Sequence, residues 1–145
     1  MHILSIGLGL FNPIGELSSI YLTGKEVGIS YEWRSLYLLT KPVVIPLISG
    51  NVVSFRNNKI EIDVFKLTQE VKVKIYKRNF ALFGAGGYYI KEKLNKGFED
   101  ESGLCYCFGF YAPLLYNEDI ALAQETYYST IPRGISLRLS VGISL

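Results

Sequence analysis

The sequence predicts an all-β chain: an eight-stranded antiparallel barrel of up-and-down topology that crosses a membrane, with residues 1–145 as a single domain. Three observations point there. The closing stretch GISLRLSVGISL puts Ile135, Leu137, Leu139, Val141, Ile143 and Leu145 on one face of a strand and Ser136, Arg138, Ser140, Gly142 and Ser144 on the other. A soluble barrel would turn the aliphatic face inward and show water a face rich in Lys, Glu and Thr, whereas a membrane barrel turns it to lipid and needs small or paired polar groups inside. Ser, Arg, Ser, Gly, Ser suits a narrow lumen. Second, 14 Gly and 11 Tyr suit tight strands and interfacial anchoring better than helices. Third, turn signals divide the chain into eight strand-like runs. They fall at Asn12-Pro13, Gly24, Asn57-Asn58, Lys77-Arg78-Asn79, Asn95-Lys96-Gly97, Asn117-Glu118-Asp119 and Pro132-Arg133-Gly134, with a further break inside Arg34 to Tyr37.

The first run, 2–11, alternates Leu4, Ile6, Leu8 and Leu10 against Ser5, Gly7 and Gly9. It has no basic leader region and no small-residue cleavage site, so it reads as a strand, and an exported chain would have lost its signal peptide already. Between Asn12 and Gly24, Leu17, Ile20 and Tyr21 recur at helical spacing and predict a short helix that lids the barrel or meets a partner. The second run, 26–34, places Val27, Ile29, Tyr31 and Trp33 opposite Gly28, Ser30, Glu32 and Arg34. The third, 36–48, contains Pro42 and Pro46, which cannot donate to a ladder and predict an irregular strand. Runs four and five span 59–76 and 79–93. The sixth, 103–115, opposes Leu104, Tyr106, Phe108 and Phe110 to Gly103, Cys105, Cys107 and Gly109, and the last two are 119–130 and 134–145.

The succession GLGLFNPIGELSSIYLTG, EVGISYEW, NFALFGAGGYYIKEKL and GISLRLSVGISL resembles the small eight-stranded outer-membrane β-barrel proteins of diderm bacteria over nearly the whole chain. That resemblance implies a closed barrel in the outer membrane, both termini on the periplasmic side, short periplasmic turns and longer external loops. It also implies contact with the lipid bilayer, with the barrel-insertion machinery during biogenesis, and with an envelope or extracellular partner through the loops. Members often end in an aromatic residue, and this chain ends in Leu145.

Charged residues within the amphipathic runs, Glu32, Arg34, Glu70, Lys72, Lys74, Glu125 and Arg138, nearly cancel and predict a salt-bridged lumen network that plugs the pore. Catalysis finds little support. The one histidine, His2, lies at the chain start, and Cys105 and Cys107, two apart on one strand face, are too far apart for a mutual disulfide and lack the ligands of a metal site. GAGGYY at Gly84–Tyr89 has no strand-to-helix turn and no Lys-Ser/Thr, so it predicts close strand packing and not a nucleotide loop. No cofactor is expected, and a net charge of +2 from dispersed Lys and Arg argues against nucleic acid. The reading is a closed-lumen outer-membrane barrel with a structural or loop-mediated role. The alternative is a soluble antiparallel barrel holding a small apolar ligand inside.

Overall fold

The computed structural model describes residues 2–14, 23–33, 44–56, 61–77, 79–92, 101–116, 119–131 and 133–145. Eight strands follow in chain order: β1 (His2–Pro13), β2 (Gly24–Trp33), β3 (Val44–Arg56), β4 (Glu61–Tyr76), β5 (Asn79–Glu92), β6 (Glu101–Tyr116), β7 (Ile120–Thr130) and β8 (Arg133–Ser144). Each pairs antiparallel with its neighbours, and β8 closes on β1, from Ile3↔Ser144 to Pro13↔Gly134. Closure leaves no edge strand, so the backbone groups within the wall are paired.

The registers compound, over one circuit of the eight strands, to a shear of ten residues. With about 3.3 Å of rise per residue and about 4.8 Å between strands, that shear tilts the strands by roughly 40° from the barrel axis. Such a barrel has an interior just wide enough for side chains to fill.

Sidedness follows the alternation read from the sequence. Leu4, Ile6, Leu8 and Leu10 of β1, Val27, Ile29, Tyr31 and Trp33 of β2, the Leu104–Phe110 series of β6 and the Ile135–Ile143 series of β8 are all exposed on the outer wall. Ser5, Glu32, Cys105, Cys107, Ser136, Arg138 and Ser140 are buried inside. Outward Tyr31, Trp33 and Tyr76 ring the end that holds both termini, and outward Tyr89 and Tyr106 lie toward the other end, as the aromatic girdles of a membrane barrel do. A soluble carrier would require this aliphatic face inside.

Two expectations are corrected. The third strand runs over Val44–Arg56 and not 36–48, so ten residues connect β2 to β3 at the termini end, where short turns are implied by the resemblance. The apolar stretch before Val44 drew the expected strand too early, and residues 49–56 fell outside it. In fact Gly50 sits on the outer face and Asn51 is buried in the lumen. Pro46 falls near the start of β3 with its side chain outward. The expected helix carrying Leu17, Ile20 and Tyr21, and the expected lumen residue Arg34, lie outside the described residues.

Candidate functional site

Among the described residues, buried polar chemistry gathers in the lumen. Its centre is Arg138, sent inward from β8 by the alternation of GISLRLSVGISL. The guanidinium meets Glu125 of the adjoining β7 in a two-pronged pair, Nε at 2.6 Å and Nη2 at 2.5 Å from Oε2. Nη1 crosses the barrel to Asn51 Oδ1 of β3 at 2.5 Å and lies 3.5 Å from Glu26 Oε1 of β2. Below it the Tyr127 ring stacks at 4.9 Å. Glu26 also accepts hydrogen bonds from the Tyr127 and Ser136 hydroxyls. A planar, always-charged fork is suited to serving two carboxylates and an amide at once.

Glycine makes room for these long side chains. A Cβ at Gly28 would stand 2.1 Å from Asn51 Oδ1 and 2.8 Å from Arg138 Nη1. A Cβ at Gly84, in the GAGGYY strand, would stand 2.6 Å from Glu70 Cγ and 2.7 Å from Cys107 Sγ. The glycines therefore serve close packing across a narrow interior.

Nearer the termini, Lys72 forms an ion pair with Glu32 and places its ammonium 3.7 Å from the Tyr111 ring centroid. Tyr111 belongs to an apolar cluster with Ile45, Phe80 and Ala123. Toward the opposite mouth, Phe11, Val53, Phe55 and Val64 form a second cluster, with Ile62, Tyr88 and Ile90 against it. Glu70 accepts from Thr68 Oγ1 at 2.8 Å, and its other carboxylate oxygen has no hydrogen-bond partner among the described residues. Cys105 and Cys107 are free thiols packed in the lumen, and Cys107 Sγ lies 3.8 Å from Glu70.

Of the seven charged residues expected together, the structure brings Arg138 to Glu125 and Lys72 to Glu32, and places Glu70 beside Thr68 and Cys107. Lys74, on the same face of β4, is exposed at the strand end and stands apart. Three buried participants were missed. Glu26 shares the parity of Gly28 and Glu32 but opens the second run, and Lys66 shares that of Glu70 and Lys72, two steps earlier. Lys66 donates to Ser129 Oγ at 3.3 Å and faces the Tyr127 and Phe11 rings at 5.5 and 5.9 Å. Asn51 lay outside every expected strand.

His2 sits at the termini-end rim, its ring stacked on Tyr31 at 5.5 Å and Nδ1 2.5 Å from the Tyr31 hydroxyl. Among the described residues no group of three His, Cys, Asp or Glu side chains is placed to hold a metal ion.

The fold is that of small outer-membrane β-barrels. The chain is similar to Neisserial surface protein A, at a TM-score of 0.62 and 10% identity, with 99% of this chain and 96% of that one covered. It is similar to Ail, the attachment invasion locus protein of Yersinia pestis, at 0.62 and 14%, with 98% and 96% covered. A second Ail structure, in complex with the heparin analogue sucrose octasulfate, matches at 0.55 and 15%, with 97% and 94% covered. No protein-family model matches the chain. No curated protein matches it by sequence.

Proposed function

We propose that this chain is a bacterial outer-membrane barrel that does not conduct and does not catalyse, and whose role is carried by the connections at the end opposite its termini. The observation that carries this reading is the inversion of sidedness. An aliphatic wall with aromatic girdles faces outward around an interior filled by paired charge and apolar clusters. A wall of that kind is stable only against lipid, and a filled eight-stranded interior leaves no water path. What remains available for a partner is the outer rim: Lys25, Lys91, Glu101 and Arg133 at the strand ends, and the connections 14–23, 57–60, 93–100 and 131–132. The similarity to Ail, solved in complex with a heparin analogue, supports contact with an extracellular ligand.

Two measurements test this. In planar bilayers the purified monomer is expected to give no sustained conductance, and long-lived large openings would overturn the closed lumen. On intact cells, replacing residues 93–100 by a Gly-Ser linker of equal length is expected to abolish binding to an extracellular component while the barrel still folds. Binding that survives replacement of all four connections at that end, 131–132 included, would overturn the loop-mediated role.

A further inference from the structure

The outer wall is apolar except at a few places, and one of them is Gln69, exposed in the middle of β4. Its register row runs Leu4↔Tyr31↔Ile48↔Gln69. In a barrel of this shear a row climbs on the order of 9 Å from β1 to β4, which lifts Gln69 to the level of Leu8, halfway along the wall. A primary amide at that depth meets neither water nor headgroups. Its neighbours are Ile48 and Ala85 across the strands and Leu67 and Val71 along its own. No hydrogen bond to its side chain occurs within the described chain, and an amide left so in hydrocarbon is costly.

The surface around it has a second unusual feature. The glycines of the lumen are compelled, because an added Cβ would collide. Two outer-wall glycines flanking Leu67 are not: at Gly50 nothing lies within 4 Å of an added Cβ, and at Gly87 only Gly103 O does, at 3.7 Å. Packing within the chain therefore does not account for them. With Ala85, Gly87 leaves a shallow groove along the β5 side of a ridge formed by Leu67 and Gln69, while on the β3 side Gly50 leaves a gap beside Leu67 and Ile48 stands next to Gln69.

We propose that this ridge is the centre of a two-fold contact between two copies of the chain in the bilayer, with the Gln69 amides hydrogen-bonded to each other. This rests on the membrane reading above. Two copies inserted in the same sense share depth and orientation, so a two-fold axis along the membrane normal brings Gln69 to Gln69 without further adjustment. Each carboxamide offers one acceptor and two donors, so the pair can satisfy itself through reciprocal N–H···O bonds. The small residues beside the ridge let the two walls approach closely, as they do between membrane helices. The other mid-wall amide, Gln124 of β7, sits roughly 6 Å nearer the termini end, so a Gln69–Gln124 contact would require the two copies to differ in depth.

The test uses the folded full chain in phosphatidylcholine vesicles over a range of protein-to-lipid ratios, with dimer measured by energy transfer between labelled copies. Native chain is expected to dimerise with increasing density, Gln69→Leu to weaken the dimer about ten-fold, and Gln124→Leu to leave it unchanged. With both cysteines replaced by serine, Leu67→Cys is expected to cross-link between copies and Phe108→Cys, on another part of the wall, is not. Native chain that floats with the vesicles yet stays monomeric at every density overturns the inference and leaves Gln69 to lipid or another protein. So does a Gln69→Leu dimer as strong as the native one, or Phe108→Cys cross-linking as readily as Leu67→Cys. A folded chain that does not float with the vesicles overturns the membrane reading as well.

Discussion

Replacing Arg138 by Met keeps the aliphatic stem and removes the guanidinium, and the structure sets what that should cost. Arg138 is the cation nearest both Glu125, at 2.5 Å, and Glu26, at 3.5 Å, and it is also the donor to Asn51. Breaking one buried ion pair by removing a partner costs roughly 3–5 kcal/mol. Here two carboxylates lose their cation, but Glu26 keeps the Tyr127 and Ser136 hydroxyls, so the upper end of the range, about 5 kcal/mol, is expected. Glu125→Gln is the matched comparison. It leaves Arg138 paired with Glu26 and bonded to Asn51, and should cost only about 2 kcal/mol, the worth of one hydrogen bond to a charged group. Unfolding in guanidinium, followed by the single tryptophan, Trp33 on the outer wall, reads both. With a slope of about 4 kcal/mol per molar, the Arg138→Met midpoint should fall by about 1.2 M. A loss below about 1 kcal/mol, or one no greater than that of Glu125→Gln, would refute the reasoning and imply a hydrated interior in which the pairs contribute little.

Leu139→Arg puts a charge near the middle of the outer wall and should destabilise the inserted barrel by roughly 2–4 kcal/mol, measured by the same unfolding, while Lys74→Met at the exposed strand end should change it by less than about 0.5 kcal/mol. Gly28→Val should cost roughly 1–3 kcal/mol, because even its Cβ would fall 2.1 Å from Asn51 Oδ1. The thiols of Cys105 and Cys107 should resist a water-soluble maleimide in the folded protein and react fully once it is unfolded. Labelling of the folded chain at the unfolded rate would show that water reaches the lumen.

The sequence made the architecture legible where the barrel wall is simplest. In β1, β2, β6 and β8 every second residue is lipid-facing and most of the residues between them are small or charged, with Ile3, Phe11 and Tyr111 the large exceptions near the mouths, so strand count, topology and inside-outside phase could all be read. β3 defeated the same reasoning for a physical reason. Ile45, Val53 and Phe55 of β3 face inward into the apolar clusters at the two mouths, Leu47 is buried on the same face, and Ile48 and Val52 face outward. Both faces are apolar at the strand's ends, the alternation vanishes, and the earlier stretch 36–43 competed successfully for the strand. The lumen network was legible as a list of inward charges but not as contacts. Which carboxylate Arg138 meets depends on the shear, and shear is fixed by turn lengths and bulges that single-strand patterns do not encode. The register break between Pro113 and Leu115, and that between Lys74 and Tyr76, are of this kind. Asn51 and Glu26 became members of the network only once β2, β3 and β8 were set around one interior.

The most direct test of the account's centre is where the aliphatic face of β8 lies. In a Trp33→Phe background, Leu137→Trp, Leu139→Trp and Val141→Trp each place one reporter on that face, and vesicles made with brominated acyl chains report contact with hydrocarbon. Expected for all three is strong quenching by the brominated lipid, blue-shifted emission and no quenching by aqueous iodide. Emission quenched by iodide and untouched by brominated lipid would contradict a wall that faces the bilayer.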